Sequence, residues 1–413
     1  MKKLLHLLPQ ALTVLGLAFG TSAVAQNPGC DGSRYLNDQF SAVKKTTVVY
    51  APTVGHTGIN FNLSMDVYEP TGDNLSARPV VILAHGGSFL FGDKNNMQAS
   101  CELLAKKGYI AASIQYRLYP FIILGFPDSL DIFDTAIKAM GDMKAAVRYF
   151  REDAATANLF RADAANIFIG GYSAGAVIAL HTAYLDEDDQ LPSFLETFVT
   201  DNGGLEGISG TASNKTYAST SKAVVNLSGG LYRSFWIDGS ESPLVSIHAP
   251  DDQTVRYTSG LAAGLAYLEG SSLVHAQAEA VNLSHNLLTP PGGGHTNLYE
   301  QAQWKPYVDT FWINATTLFE SLACGTVSTN EPTPIEPWTL YPNPTTADFV
   351  LQLPSEVQIV DVQLFDLMGK LVLQQSNVAN EQRIRTHNLP KGTYVVRILH
   401  PNKRFELKYL AIE

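Results

Sequence analysis

The sequence predicts an α/β fold, a mostly parallel sheet flanked by helices, followed by a small all-β domain. Between Thr46 and Ala323, short strand-like runs alternate with helix-like segments. Those runs are apolar throughout, as strands covered on both faces are, rather than alternating. After Cys324 the pattern changes to short strands separated by Pro, Gly and Asn, with no helical spacing.

The elements follow in order. Val80 to His85, Ile110 to Tyr116, Asn166 to Gly170, Ala223 to Gly229 and Pro243 to Ala249 are the strand candidates. Asp128 to Asn158 has helical spacing and is expected to form one long helix with a weak point near Gly141. Ala174 to Tyr184 and Gln301 to Leu322 are further helices. Parallel strands need such crossovers between them. The run after Cys324, GTVSTNEPTPIEP, has the Thr, Pro and Glu content of a linker. Beyond it, Phe349 to Leu353, Val360 to Asp366, Lys370 to Leu373 and Thr393 to Leu399 are expected to build a β-sandwich. The chain therefore divides into residues 1–25, 26–324, 325–337 and 338–413.

With 413 residues the chain exceeds one ordinary domain. Its 45% apolar and 16% charged residues can bury a large core. A formal charge of -11 argues against nucleic acid or an anionic membrane as main partner. Lys2 and Lys3, the apolar run from Leu4 to Phe19, and Ala23-Val24-Ala25 describe a signal peptide cleaved after Ala25. His6, Pro9, Gln10 and Gly16 interrupt that run, which is short for a spanning helix, and no later segment is suited to span a bilayer. The predicted location is outside the cell, where disulfides persist. Of the three cysteines, Cys30 and Cys324 stand at the two ends of the α/β region, and a bond between them would tie those ends together. Cys101, in the helical pattern ASCELLAKKGY, reads as a buried small hydrophobe. No zinc-ligand spacing is present, and the chemistry outlined below needs no metal or cofactor.

Four loops carry residues suited to nucleophilic catalysis. Gly171-Tyr172-Ser173-Ala174-Gly175 lies between a strand and a helix, so the Ser173 hydroxyl is presented at a helix N-terminus. His85-Gly86-Gly87-Ser88-Phe89 ends an early strand, and its glycines allow N–H groups to face an oxyanion. Ala174 and Gly87 are the preferred donors, with Gly86 and Ser88 as alternatives, and His85 is expected to brace the loop. Asp252 follows the strand Pro243 to Ala249, at the sheet edge where open α/β sheets place their sites. Asp251 competes with it. His295 sits in the loop PPGGGHTNLYE, after the acid and before the last helix. His275 and His285 are rivals without a glycine-rich loop.

The order Ser173, Asp252, His295 resembles the esterase and lipase branch of the α/β-hydrolases, over roughly Thr46 to Ala323. H-x-x-x-D-x-x-V is similar to the acid loop of many members, with Asp252 and Val255 at the matching places. MDVYEP, RPVVILAHGGSFLFGDK, AKKGYIAASIQYRL and GGLEGISG resemble secreted bacterial carboxylesterases with type IX tails. HGGS departs from the HGGG of the hormone-sensitive-lipase group, which leaves the third oxyanion donor open. The tail motifs TLYPNPTTADFVLQLP, VQLFDLMGKLV, LPKGTYVVRI and FELKYLAIE resemble the C-terminal sorting domain of type IX secretion in Bacteroidota. That resemblance implies the type IX machinery as a partner; a carbohydrate-binding accessory domain is the other reading of the tail.

These resemblances imply a serine carboxylesterase working through an acyl-enzyme. Its ester substrate would be small or polymer-linked, including acetyl or feruloyl polysaccharide and aromatic polyesters. A serine peptidase of the same fold and a non-catalytic adhesion protein are the alternatives. Phe89, Leu90, Tyr172, Trp236 and the apolar stretch Tyr119 to Phe126 are candidate substrate contacts, the stretch as a wall or a flap. Asp186 to Thr220 is expected to form a small cap or loop over the site. Asp186 to Asp189 matches no EF-hand spacing and reads as a solvated acidic loop.

Overall fold

Apolar runs bounded by turn residues become the strands of one large sheet. In the computed structural model of the protein, the described residues are 29–325, 338–353, 359–366, 371–399 and 405–413. The expected signal peptide and residues 326–337 of the expected linker lie outside them. In chain order the strands of the first region are β1 (Val43–Val54), β2 (Asn60–Pro70), β3 (Arg78–Ala84), β4 (Ile110–Ile114), β5 (Ala162–Tyr172) and β6 (Val224–Leu227). They continue as β7 (Gly230–Leu231), β8 (Leu244–Ile247), β9 (Ser259–Ala262), β10 (Ala266–Gly270) and β11 (His285–Leu288). The helices are α1 (Gln98–Lys106), α2 (Phe121–Leu124), α3 (Ser129–Ala155), α4 (Ala174–Tyr184), α5 (Ser193–Asp201), α6 (Ser271–Ala280), α7 (Asn297–Glu300) and α8 (Lys305–Cys324).

The eight-stranded sheet has the order β1-β2-β4-β3-β5-β6-β8-β11. From β4 to β11 all neighbours run parallel. Every residue of β3 and β4 is buried, as strands with helices on both faces require. The strands β1 and β2, not foreseen from the sequence, add an antiparallel hairpin at one end. Their side chains alternate less cleanly, and the charges of Lys44 and Lys45 mark the sheet edge. A separate antiparallel sheet, β7-β10-β9, stands beside the C-terminal ends of β6 and β8.

The helix α3 runs unbroken through Gly141. A side chain there would meet the Cα of Gly207 at 2.9 Å, so the glycine serves a close chain crossing rather than a weak point. Asp128 caps the helix, accepting from the N–H groups of Leu130 (2.8 Å) and Asp131 (3.0 Å). Cys30 and Cys324 are joined, and Cys101 is buried and free. The bond spans 294 residues of sequence, a loop length for which chain entropy alone contributes roughly 5 kcal/mol.

In the tail, β12 (Thr339–Tyr341), β13 (Asp348–Gln352), β14 (Ile359–Asp366), β15 (Leu371–Ala379), β16 (Arg383–Arg385), β17 (Gly392–Leu399) and β18 (Phe405–Ile412) form two sheets, β12-β13-β16 and β15-β14-β17-β18. The strands pair antiparallel within each sheet. Phe349, Leu351, Val362, Leu364, Val396 and Ile398 make their shared core, a sandwich held by alternating inward residues.

Candidate active site

The strand β5 ends in a turn that only small neighbours permit. A methyl group at Gly171 would lie 2.5 Å from the carbonyl oxygen of Ala84, the last residue of β3, and one at Gly175 would lie closer still. Between them Ser173 adopts φ 54° and ψ -119°, a strained conformation for a residue with a side chain. Its N–H donates to Leu227 (2.9 Å), and its carbonyl accepts from Val177 (3.0 Å). The turn is thus clamped between β3, β6 and α4. As the first residue of α4, Ala174 has an N–H with no partner inside the helix.

The structure brings the other residues to this hydroxyl. His295 Nε2 is 2.7 Å from Ser173 Oγ, and His295 Nδ1 is 2.7 Å from Asp252 Oδ2. Asp252 is buried, and its Oδ1 accepts from the N–H groups of Thr254 (2.8 Å) and Val255 (3.0 Å). Burial alone would raise its pKa, but hydrogen bonds from His248 and His295 outweigh that and hold it down at about 2. Asp251 points elsewhere, accepting from the N–H of Gly294 (2.9 Å) in the loop before His295. Asp251 is exposed and at the same time tethers that loop. Tyr172 braces the same loop: its hydroxyl donates to the His295 carbonyl (3.0 Å), and its ring stacks on the imidazole at 5.2 Å.

The loop after β3 lies against the elbow. Gly87 has φ 121°, and Ser88 and Phe89 also have positive φ. A side chain at Gly87 would collide with the Phe91 carbonyl, which fixes glycine there. The Gly87 carbonyl takes the N–H groups of Leu90 (2.9 Å) and Phe91 (3.0 Å). Gly86 abuts the Ser173 side chain, and Ser88 lines the same pocket as Ser173 and Ala174. His85 braces the loop as expected: it is buried, stacks on Tyr116 at 4.3 Å, and its Nδ1 is 2.7 Å from the Gly86 oxygen.

The pocket beside Ser173 is apolar. Phe89 lines it. Its other walls were missed: Ile132, Phe133 and Ala136 of α3, and Ala262, Leu265 and Leu268 around the β9–β10 hairpin. The spacing of Ile132, Phe133 and Ala136 on one helix face was the available signal. Of the proposed contacts, Trp236 is a correction. Its indole turns into the core against His181 and Tyr232, at 5.9 Å and 5.6 Å, and does not line the pocket. Leu90 also packs against the core rather than the pocket. Tyr172 lines a separate cleft with Gly86, Gly87 and Phe91.

The segment 186–220 is not a cap over Ser173; none of its residues lines that pocket. It is fastened to the flank of α3, where Arg148 donates to Asn214 (3.1 Å) and to the Ser209 carbonyl (3.0 Å). The acidic run is a solvent-facing turn: the Asp186 N–H donates to Asp189 (3.0 Å) and the Asp188 N–H to Asp186 (2.9 Å), with Glu187 and Asp188 exposed. Burial pushes the carboxyl of Asp189 up to about 6. The rival histidines, His275 and His285, contact each other (3.0 Å) rather than Ser173. Among the described residues no cluster of His, Cys, Asp or Glu is arranged to hold a metal, and no helix is long and apolar enough to cross a membrane.

A mostly parallel sheet with a strained serine turn between β5 and α4, and with the Asp252 and His295 loops at its C-terminal edge, has the layout of the α/β-hydrolase fold. Residues 65–231 match the model of the BD-FAE family, and residues 339–413 match that of the secretion system C-terminal sorting domain. The BD-FAE segment includes Ser173 and the HGGS loop and ends before Asp252 and His295. Curated relatives include Esterase-5C of Drosophila miranda, 31% identical over 132 residues, covering 32% of this chain and 23% of that protein. Esterase P of Drosophila melanogaster is 29% identical over 126 residues, covering 30% and 22%. The chain thus spans less than a quarter of the length of these relatives. Thermogutta terrifontis esterase 2, phosphoramylated by tabun, overlays with TM-score 0.49 at 17% identity, covering 67% of this chain and 94% of that one. Its propionate-bound form gives 0.48 at 18% identity, covering 67% and 93%.

Proposed function

We propose that the protein is a secreted serine carboxylesterase in which Ser173 is the nucleophile, His295 the general base and Asp252 the residue that orients it. The observation that carries this reading is the continuous line of contacts from Ser173 Oγ to His295 and on to Asp252, both at 2.7 Å. In the proposed reaction His295 takes the Ser173 proton as the oxygen attacks an ester carbonyl. The N–H groups of Ala174 and of the Gly87–Ser88 turn hold the oxyanion; each such donor lowers the barrier by about 3 kcal/mol. His295 then protonates the departing alcohol. Water, deprotonated by the same imidazole, cleaves the acyl-enzyme and restores Ser173. The sorting-domain tail supports delivery to the cell surface or beyond by type IX secretion.

The test is a panel of p-nitrophenyl esters set against peptide p-nitroanilides. Turnover of short esters with none of the anilides is expected. The reverse preference would move the protein to the peptidases, and inactivity of folded protein on both to the adhesion class.

An apolar, polymer-linked or aggregated ester is the substrate form favoured by the surface beside the pocket. The stretch expected as wall or flap forms α2 and its flanks, and it lines no part of the pocket. Instead it turns Ile122 (87% exposed), Ile123 (71%) and Phe126 (85%) outward. This patch is joined to the loop carrying Phe89: the Tyr119 N–H donates to the Phe89 carbonyl (2.8 Å), and Phe121 packs on Phe91 at 5.1 Å. A contiguous exposed apolar surface marks contact with something apolar. The double variant I122D/F126D is expected to keep kcat/KM on a soluble acetate ester and to lose several-fold on an emulsified or insoluble one. Equal rates on both forms would dismiss the patch as a substrate contact.

A further inference from the structure

Asp252 receives a hydrogen bond that the Ser173–His295 pair does not require. His248, buried at the end of β8, places Nε2 3.2 Å from Asp252 Oδ2 and 3.0 Å from the Val255 carbonyl oxygen. Both are acceptors, so this nitrogen carries the proton, and in the neutral ring Nδ1 is left as an acceptor.

The surroundings fit that same tautomer from the far side. His248 Nδ1 is 2.8 Å from Ser271 Oγ, at the start of α6. Ser271 Oγ accepts from Asn226 Nδ2 (3.0 Å), and so does Ser246 Oγ (3.0 Å). The amide orientation of Asn226 is fixed, because its Oδ1 accepts the Gly229 N–H at 2.8 Å. With Asn226 donating to it, Ser271 keeps its own hydrogen free for His248 Nδ1, which the Nε2 proton leaves as an acceptor. The second branch follows the same logic. Ser246 donates to His275 Nε2 (2.7 Å), His275 Nδ1 donates to His285 Nδ1 (3.0 Å), and His285 Nε2 donates to Glu279 (2.9 Å). Burial depresses the pKa of His275 to about 3, which keeps it neutral and consistent with one N–H. Each donor in the network has an acceptor, and none of its atoms is among the buried side-chain atoms without a partner. Such a filled buried network specifies one arrangement.

We propose that His248 is a positioning residue for the reaction, holding the Asp252 carboxylate from Nε2 in a tautomer set by the acceptors at Nε2 and matched by Ser271 at Nδ1. The proposal rests on the triad reading and deepens it. Asp252 Oδ1 is taken by two backbone N–H groups, while Oδ2 is shared by His295 and His248. His248 therefore sets where Oδ2 sits, and draws off part of the negative charge that His295 feels. The titratable groups facing His248 are Asp252, Tyr257, whose ring meets it edge-on at 5.5 Å, and His275 across the network.

The experiment measures kcat, KM and the pH profile of His248→Ala and His248→Gln in the full chain on a soluble ester. It adds imidazole ¹⁵N NMR of the Ser173→Ala protein with and without Asn226→Asp. His248→Ala is expected to lower kcat on the order of 10- to 100-fold, the weight of one hydrogen bond to a charged group, with KM little changed. The acid limb of kcat/KM should move to higher pH, because a carboxylate freed of one donor holds the His295 imidazolium more firmly. His248→Gln, whose amide can still donate, should recover most of kcat. In the NMR, His248 should carry its proton on Nε2. Asn226→Asp, which draws the Ser271 hydrogen to a carboxylate and leaves its oxygen as an acceptor, should keep the Nε2 proton and favour a second one on Nδ1.

A wild-type kcat, or a loss with an unmoved acid limb and no recovery by glutamine, would overturn the proposal, as would an Nδ1–H tautomer in the parent protein. Should His248→Ala fail to fold, the glutamine variant and the tautomer decide alone. Activity surviving in Ser173→Ala would instead overturn the triad reading itself, so the two failures are told apart.

Discussion

Ser173→Ala is expected to bring ester turnover down to background while the protein keeps its fold. The hydroxyl is the only group on the proposed reaction path able to form the acyl-enzyme, and loss of such a serine lowers kcat by a factor on the order of 10⁶. The backbone should not suffer. Alanine meets the same strain at φ 54° as serine does, and the clamp on the turn is made by main-chain groups of Leu227 and Val177. Circular dichroism and thermal melting should therefore match the parent. Because Ser173 and His295 act as a unit, the double variant Ser173→Ala/His295→Ala should be no slower than either single one. A residual activity of a few per cent in pure protein would contradict the assignment.

Asp252→Asn is expected to cost about 10⁴ in kcat, and Asp251→Asn less than about tenfold. An asparagine amide at 252 would offer an N–H to His295 Nδ1. That nitrogen would then become the acceptor, and Nε2 would present its hydrogen to Ser173, where a lone pair is needed. At 251 the asparagine carbonyl can still accept the Gly294 N–H, so the loop tether survives. The pH dependence separates the groups further. The folded-state pKa of Asp252 is depressed from 3.8 to about 2. Its ionised form therefore adds stability that is fully present above the ordinary carboxylate range and is lost as pH falls toward 2. Activity lost between pH 7 and 4 is consequently not protonation of Asp252. Comparable losses for both asparagine variants would move the acid role.

The residues meeting at this site were legible because each belongs to a local pattern with one physical reading. A strand followed by G-x-S-x-G, a strand followed by H-G-G, a carboxylate just past a strand and a histidine in a glycine loop are all set within about ten residues. The parallel core was legible for the same reason, since the buried strands β3 and β4 are apolar throughout. What escaped depends on contacts between distant segments. Trp236 looks like a pocket aromatic in isolation, but His181 and Tyr232 draw it inward. The segment 186–220 has a loop's composition, yet Arg148 on α3 fastens it away from the site. The pocket wall joins α3 to a hairpin more than a hundred residues later, a pairing no local pattern encodes. The roles of Asp251 and His248 likewise appear only once loops are brought together.

The most direct measurement of the central claim is covalent trapping. The full chain would be treated with a fluorophosphonate, a reagent that phosphonylates activated serines, and then mapped by peptide mass spectrometry while ester turnover is followed. The proposed mechanism predicts one adduct per chain, on Ser173, with activity falling in proportion to labelling and no adduct in His295→Ala under the same conditions. An adduct on a different residue that tracks the loss of activity, or full turnover in protein completely labelled at Ser173, would contradict it.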